Sequence, residues 1–341
     1  MYFSNGNFVK GVNDKVETRV LQDSFGSVKS ILKFCNLPFK QVGLFNNLVR
    51  KLTKHGYVDN YNLRGAPYDF RNLPDNKYYE KLKILIEQTY QINRNKKVVI
   101  LSHSFGGIVC NIFLNKMAKN WRSKYIKSLI TFGTPWGGTL KSLNMILRGD
   151  NLNIPLIKAQ DIYLQQRSMQ VALYLLPNEI VWSRDQDLVV NKNVTYAIKD
   201  LEKLFIDTKY YEGFLRYASI LNIMKPRQTP NVKTYCIHGS GKPTMSKIIY
   251  KKKFPLGLPE YIYGNGDGSV NLKSLAYCKE WKTKYKVIYK VFKNTEHTNG
   301  LYNKSVMNYI HEILDLPKIK KTRYEKLIHN IQKFCNVTVL G

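Results

Sequence analysis

The sequence predicts an α/β layer fold with a helical cap, on three observations. Short β-rich runs alternate with helical stretches, the pattern of a sheet covered by helices. Between about Thr139 and Pro230 the strand signals thin out and polar helices and loops dominate. Glycine-rich turns close two of the β runs, at the strand ends where such sheets carry their active residues. At 341 residues with 44 % hydrophobic content and no long glycine, serine or proline tract, the chain can bury a sizeable core. The length fits one large domain or two modest ones.

Tyr78 to Tyr90 reads as a helix. Lys96 to Ser102 is a short β-branched run suited to a buried strand. A sharp turn follows, after which Ile108, Val109, Ile112, Phe113 and Met117 recur at helical spacing. Ile126 to Phe132 is a second strand, ended by Gly133-Thr134-Pro135-Trp136-Gly137-Gly138. The stretch from 139 to 230, with the apolar cluster Val171 to Leu176, reads equally as a cap or lid insertion and as an ordinary helical layer. Lys233 to His238, closed by Gly239-Ser240-Gly241, and Lys286 to Phe292 complete the strands. The expected organisation is a core in two parts (1–138 and 231–316), a cap (139–230) and a basic tail (317–341). In the tail, Tyr324, Leu327, Ile328, Ile331 and Phe334 share a helical face expected to pack on the protein itself.

The formal charge of +30 is compatible with nucleic acid, an anionic membrane or an anionic substrate. Abundant Lys, Asn, Tyr and Ile give a plainer account, a codon bias toward A and T with a solvated surface. The densest basic runs are Lys251-Lys252-Lys253 and Lys318-Ile319-Lys320-Lys321. With neither zinc-finger spacing nor an aromatic RNA-binding signature, nucleic acid rests on charge alone and is not expected as a partner. The five cysteines (Cys35, Cys110, Cys236, Cys278, Cys335) fit no zinc pattern. No stretch is long and apolar enough to span a bilayer. The first residues lack a basic segment followed by an apolar one, so no secretory signal is expected in this chain.

The strongest chemical signal is Ser102-His103-Ser104-Phe105-Gly106-Gly107, between a strand and a helix. A nucleophile elbow needs a serine on such a turn, flanked two residues either side by small residues, here Ser102 and Gly106. The Phe105 N–H would then face a developing oxyanion, aided by the helix dipole. A serine needs a histidine base held by a carboxylate, in the chain order Ser, Asp or Glu, His. Downstream, Asp267 stands in the glycine-rich turn Gly264-Asn265-Gly266-Asp267-Gly268-Ser269 after a predicted strand. A calcium loop is disfavoured there by too few carboxylates, and a plain surface turn is the other reading. His55, His103 and His238 break the order; His297, His311 and His329 keep it. His297 sits on a loop after the last strand, whereas His311 and His329 sit in helical patterns. Ser104, Asp267 and His297 are therefore the expected triad, and no cofactor or metal is needed.

These motifs resemble a known family. Asn62-Leu63-Arg64-Gly65-Ala66-Pro67-Tyr68-Asp69-Phe70-Arg71, His103-Ser104-Phe105-Gly106-Gly107 and Gly133 to Gly138 look like the lecithin:cholesterol acyltransferase family. Gly149-Asp150-Asn151 with Ile154-Pro155, Gln165-Gln166-Arg167-Ser168, Gly266 to Ser274 and Glu296-His297 look like its lysosomal phospholipase A branch. The resemblance runs from about Val16 to about Leu316. It implies an α/β-hydrolase core with a cap. It also implies phospholipid deacylation through an acyl-serine, the acceptor being water or a lipid alcohol. Ser104, Asp267 and His297 occupy the family's triad places, and Phe105 supplies one oxyanion donor. Cys236 and Cys278 occupy the places of a family disulfide, which implies a lysosomal or secreted setting. Asn193, Asn303 and Asn336 lie in glycosylation sequons. The implied partners are a phospholipid substrate and an anionic membrane or lipoprotein surface. Phe70 stands where Trp is usual, and Asn265 where Asp is usual. Family members also begin with a signal peptide, a first strand whose Pro-Gly loop carries the second oxyanion donor, and a membrane-binding segment. The resemblance reads this chain as lacking that part, either as an incomplete gene model or as a shortened, catalytically impaired lipid-binding paralogue, the alternative function.

Overall fold

The structure, a computed structural model, describes residues 2–4, 7–9, 24–32, 35–37, 40–151, 157–192, 194–224, 228–255 and 257–317. Two short hairpins, Tyr2–Ser4 with Asn7–Val9 and Cys35–Leu37 with Lys40–Val42, stand outside the main sheets. Helix α1 (Asn46–Lys54) follows, then α2 (Asn76–Ile92), where Asp75 caps the first turn by accepting the Tyr78 N–H at 2.9 Å. Tyr79, Leu82 and Ile86 of α2 are buried at the spacing of one helical face.

The core sheet is formed by β1 (Val98–His103) and β2 (Ile126–Phe132), linked through α3 (Phe105–Lys116) and α4 (Lys119–Tyr125). Far along the chain β5 (Thr234–Ser240) and β8 (Val287–Lys293) join it. The order is β8-β5-β2-β1 and every pairing is parallel. Central β2 is buried at all positions but Lys127, as expected of a strand covered on both faces. Its neighbours Leu129 and Ile130 point to opposite faces. Leu129 packs in the cluster with Ile108, Phe113 and the cap. Ile130 packs with Leu48 and Leu52 of α1 and with Val306, Met307 and Ile310 of α11 (Lys304–Ile313), the helix after the short α10 (Leu272–Leu275).

Between β2 and β5 lie α5 (Leu140–Arg148), α6 (Ala159–Ser168), α7 (Gln170–Tyr174), α8 (Leu201–Asp207) and α9 (Tyr211–Met224). The short strands β3 (Val189–Asn191) and β4 (Val194–Tyr196) lie there too. The apolar run Val171 to Leu176 forms α7 and the turn after it, and Leu173, Tyr174 and Leu176 are buried in the main core.

One departure from the sequence-based division concerns β6 (Lys242–Tyr250) and β7 (Glu260–Gly266). They lie within the stretch expected to belong to the core, yet they form an antiparallel hairpin whose β6 pairs with β3. The result is a second four-stranded sheet, β7-β6-β3-β4, shared with the cap. The hairpin closes at its base, where Lys242 faces Gly266 and the Gly241 N–H donates to Asn265 Oδ1 at 2.8 Å. The basic tail lies outside the described residues beyond Pro317. No described helix is long and apolar enough to cross a membrane.

Candidate active site

Ser104 is the link between β1 and α3. Its φ of 54° and ψ of −129° place a residue with a side chain in a region glycine favours, at a cost on the order of 1–3 kcal/mol. The surroundings hold it there: its N–H donates to the Phe132 carbonyl at 2.8 Å and its carbonyl accepts from the Gly107 N–H at 3.0 Å. Of the glycines after Ser104, the structure singles out Gly107, not Gly106. A Cβ on Gly107 would lie 2.0 Å from Thr134 Oγ1, whereas one on Gly106 would meet nothing nearer than 3.7 Å. Close approach of α3 to the loop after β2 is thus what demands a glycine.

The turn directs Ser104 Oγ to His297 Nε2, 2.9 Å away. His297 Nδ1 donates to Asp267 Oδ2 at 2.7 Å, and its backbone N–H donates to the Asp267 carbonyl at 2.8 Å. Asp267 directly follows β7 and is 1 % exposed. Its other oxygen, Oδ1, accepts from the N–H groups of Val270 at 2.8 Å and Ser269 at 3.1 Å. Burial alone would raise this carboxyl's pKa; the nearby His297 and these hydrogen bonds outweigh burial and hold it below the usual value. The residues read from the sequence, Ser104, Asp267 and His297, therefore meet in one hydrogen-bonded chain. Such a chain can draw a proton from a hydroxyl while a fixed anion supports the resulting imidazolium.

His103, set aside on chain order, touches this chain. Its Nε2 lies 2.9 Å from the His297 carbonyl, which can only accept, so the nitrogen carries the proton. Its ring stacks on Phe132 at 5.9 Å. Burial first, and the neighbouring His297 second, lower its pKa to about 3, so it is neutral at ordinary pH. His297 is thus held through its ring, its N–H and its carbonyl. Gly133, with φ 66°, lies beside the imidazole: a Cβ there would stand 3.1 Å from His297 Nδ1.

Phe105 opens α3, so its N–H has no intrahelical carbonyl to bind. Its ring joins an aromatic wall with Tyr68 at 6.1 Å and Tyr174 at 5.8 Å, and Tyr68 continues to Tyr78 at 5.8 Å. Cys110 is a buried free thiol whose pKa burial pushes up to about 12, which removes it as a nucleophile. His238 has both ring nitrogens engaged, by the Gly239 carbonyl at 2.7 Å and the Tyr289 hydroxyl at 2.8 Å. His311 packs against His55 at 4.9 Å on α11.

Cys236 on β5 and Cys278 are joined by a disulfide. It ties the segment after Asp267 to the core sheet. The same segment is bound to the loop after β2: Ser274 Oγ accepts the Gly137 N–H at 2.9 Å, and the Ser269 carbonyl accepts from Thr139 Oγ1 at 2.6 Å. Of the sequons, Asn193 and Asn336 lie outside the described residues. Asn303 caps α11, accepting from Ser305 N–H at 2.8 Å, and donates to Thr295 Oγ1 at 3.0 Å. A glycan there would compete with the second bond. Among the described residues no His, Cys, Asp and Glu side chains cluster to hold a metal.

The family model for lecithin:cholesterol acyltransferase matches residues 9–225 and 217–308. The human protein named lysosomal phospholipase A and acyltransferase is 33 % identical over 306 residues, covering 88 % of this chain and 73 % of its own length. The chicken phosphatidylcholine-sterol acyltransferase is 32 % identical over 269 residues, covering 77 % of this chain and 65 % of its own. A lecithin-cholesterol acyltransferase-like protein of Arabidopsis thaliana is 35 % identical over 276 residues, with 77 % and 63 % covered. Among solved structures, a chain of the Tle4–Tli4 complex superposes with a TM-score of 0.49 at 12 % identity, covering 77 % of this chain and 68 % of that one.

Proposed function

Because this chain belongs to the lecithin:cholesterol acyltransferase family and has its α/β-hydrolase fold, we propose that it is a serine-dependent phospholipase A and lipid O-acyltransferase. The observation that carries the reading is the continuous chain Ser104 Oγ–His297 Nε2–His297 Nδ1–Asp267 Oδ2, at 2.9 and 2.7 Å.

In this mechanism Ser104 Oγ attacks the carbonyl carbon of a phospholipid ester while His297 Nε2 takes the hydroxyl proton. Asp267 keeps the Nδ1–H tautomer and stabilises the imidazolium. The Phe105 N–H donates to the oxyanion at the positive end of α3. Collapse breaks the ester bond, the lysolipid alkoxide leaves with the His297 proton, and the acyl group stays on Ser104. Water or a lipid alcohol, deprotonated by His297, then attacks that ester, and the released serine recovers its proton. Tyr68, Tyr174 and the Phe105 ring offer an apolar wall for the acyl chain. The reading includes a lysosomal or secreted setting, where a disulfide persists, and a phospholipid surface as partner.

The test is labelling by a fluorophosphonate, which reacts with an activated serine without needing the right lipid. The expected result is labelling of the wild type, its loss in Ser104→Ala, and release of fatty acid from phosphatidylcholine vesicles by the wild type alone. A folded wild type that resists the probe would refute the acyl-serine route and favour a lipid-binding paralogue.

A further inference from the structure

The β6–β7 hairpin leaves the C-terminal edge of the core sheet after β5 and ends in Lys251-Lys252-Lys253, all exposed. Lys251 pairs with Glu260 at 2.7 Å. From 251 to 263 the three lysines face that single carboxylate, a net charge of +2. Leu258 follows in the same connection and is 77 % exposed, the most open of the large apolar side chains among the described residues. β7 begins two residues later, and Ile262, on the same face of the strand as Glu260, is also exposed.

The hairpin does not lack the means to bury an apolar group. Phe254, in the same connection, turns inward onto Tyr250 at 5.1 Å and Tyr196 at 5.6 Å. The strand ends that carry this connection are fixed by Tyr250, which is buried, and by the Tyr261 hydroxyl on Asn144 at 3.0 Å. One side of the connection is therefore packed, while the other presents leucine and isoleucine among lysines. Apolar side chains set in a cationic rim are complementary to a surface with anionic headgroups over hydrocarbon. A protein partner would need an apolar pocket of matching shape; a bilayer needs none.

We propose that this hairpin end, through Lys252, Lys253, Leu258 and Ile262, is the surface by which the protein docks on anionic bilayers. The choice of a bilayer rests on the lipid-acting reading above. Docking here also orients the active site. β7 runs without interruption into Asp267, so eight residues, at most about 30 Å of extended chain, separate Leu258 from the carboxylate that holds His297.

The experiment is co-sedimentation with phosphatidylcholine vesicles, with and without one third phosphatidylserine, at low and high salt. It compares the full chain with Leu258→Asp and with the double variant K252E/K253E. The wild type is expected to bind the serine-lipid vesicles and to release with salt. The double variant is expected to bind roughly 25-fold more weakly or worse, since each basic residue near a charged surface is worth roughly fivefold, and Leu258→Asp about tenfold more weakly, since it removes the apolar surface that would enter the bilayer. Fluorophosphonate labelling of Ser104 in solution should be unchanged, showing that the variants are folded. Variants that bind as the wild type does, or wild-type binding indifferent to phosphatidylserine and salt, would overturn the proposal. Loss of labelling in the wild type would instead sink the catalytic reading and leave the vesicle result standing on its own.

Discussion

Gly133→Ala tests whether the hydrogen-bonded chain works as geometry demands. A methyl built on Gly133 would stand 3.1 Å from His297 Nδ1, 3.2 Å from Cε1 and 3.5 Å from Asp267 Oδ2. Ordinary contact begins near 3.4 Å, so something must yield by about 0.3 Å. The Gly133 backbone cannot easily retreat, because its N–H donates to the Ile237 carbonyl at 2.9 Å and its φ is 66°. His297 is equally tethered through its N–H and carbonyl. The imidazole must therefore tilt, spoiling one of its hydrogen bonds to Ser104 and Asp267. A misplacement of about 1 Å costs roughly 10²-fold in rate, so a few tenths should cost about 10-fold. Alanine at positive φ adds about 1–2 kcal/mol of strain, or roughly 1–3 °C in Tm for a chain of this length. The assay is the second-order rate of fluorophosphonate labelling, read beside a thermal melt. Labelling at the wild-type rate would refute the reasoning, since it would mean the imidazole is not where the geometry puts it.

Ser104→Gly should abolish labelling yet raise the unfolding free energy by about 1 kcal/mol, by relieving the side-chain strain at φ 54°; an unaltered or lower value in urea melts would deny that strain. His103→Phe should keep the ring on Phe132 but leave the His297 carbonyl without its donor, lowering stability by about 1–3 kcal/mol and labelling several-fold without moving its pH midpoint. The folded-state pKa of His103 lies below its unfolded value, so below about pH 6.5 the unfolded chain takes up the proton first. That contribution is complete above 6.5 and is lost as pH falls toward 3; urea midpoints from pH 7 to 4 should fall less steeply in His103→Phe. Cys236→Ser opens a loop spanning 42 residues, worth about 4 kcal/mol by chain entropy; a urea curve unmoved by the change would show that the bridge does not form.

The residues of the candidate site, whose side chains meet in one hydrogen-bonded chain, were legible in the sequence where the logic is linear. A strand, a small-residue turn and a helix mark Ser104, and chain order sorts the remaining histidines. That rule also set His103 aside, because it asks which histidine is the base and not which one holds the base in place. Its partner is a backbone carbonyl 194 residues away, and no side-chain pattern announces such a contact. Sequence could say that glycines follow Ser104, but only the crossing with Thr134 shows that Gly107 is the indispensable one. The second sheet was hidden for a different reason: β3 and β4 are three residues each, too short for an alternation to register. Without them, the hairpin could only be grouped with the core that flanks it.

The pinched base of that hairpin separates two design variables. The chain leaves the core at Gly241 and returns at Gly266, with Lys242 opposite Gly266 and Asn265 bonded across the gap. The position of Asp267 is thus decided at the neck, while β6 is held to β3 as far as Tyr250, so the length that can vary is that of the connection beyond this pairing. Excising or grafting residues in matched pairs would change how far the arm reaches while the reaction centre stays in place. Relatives that differ in the surfaces they visit could differ there alone, keeping one engine behind arms of different reach.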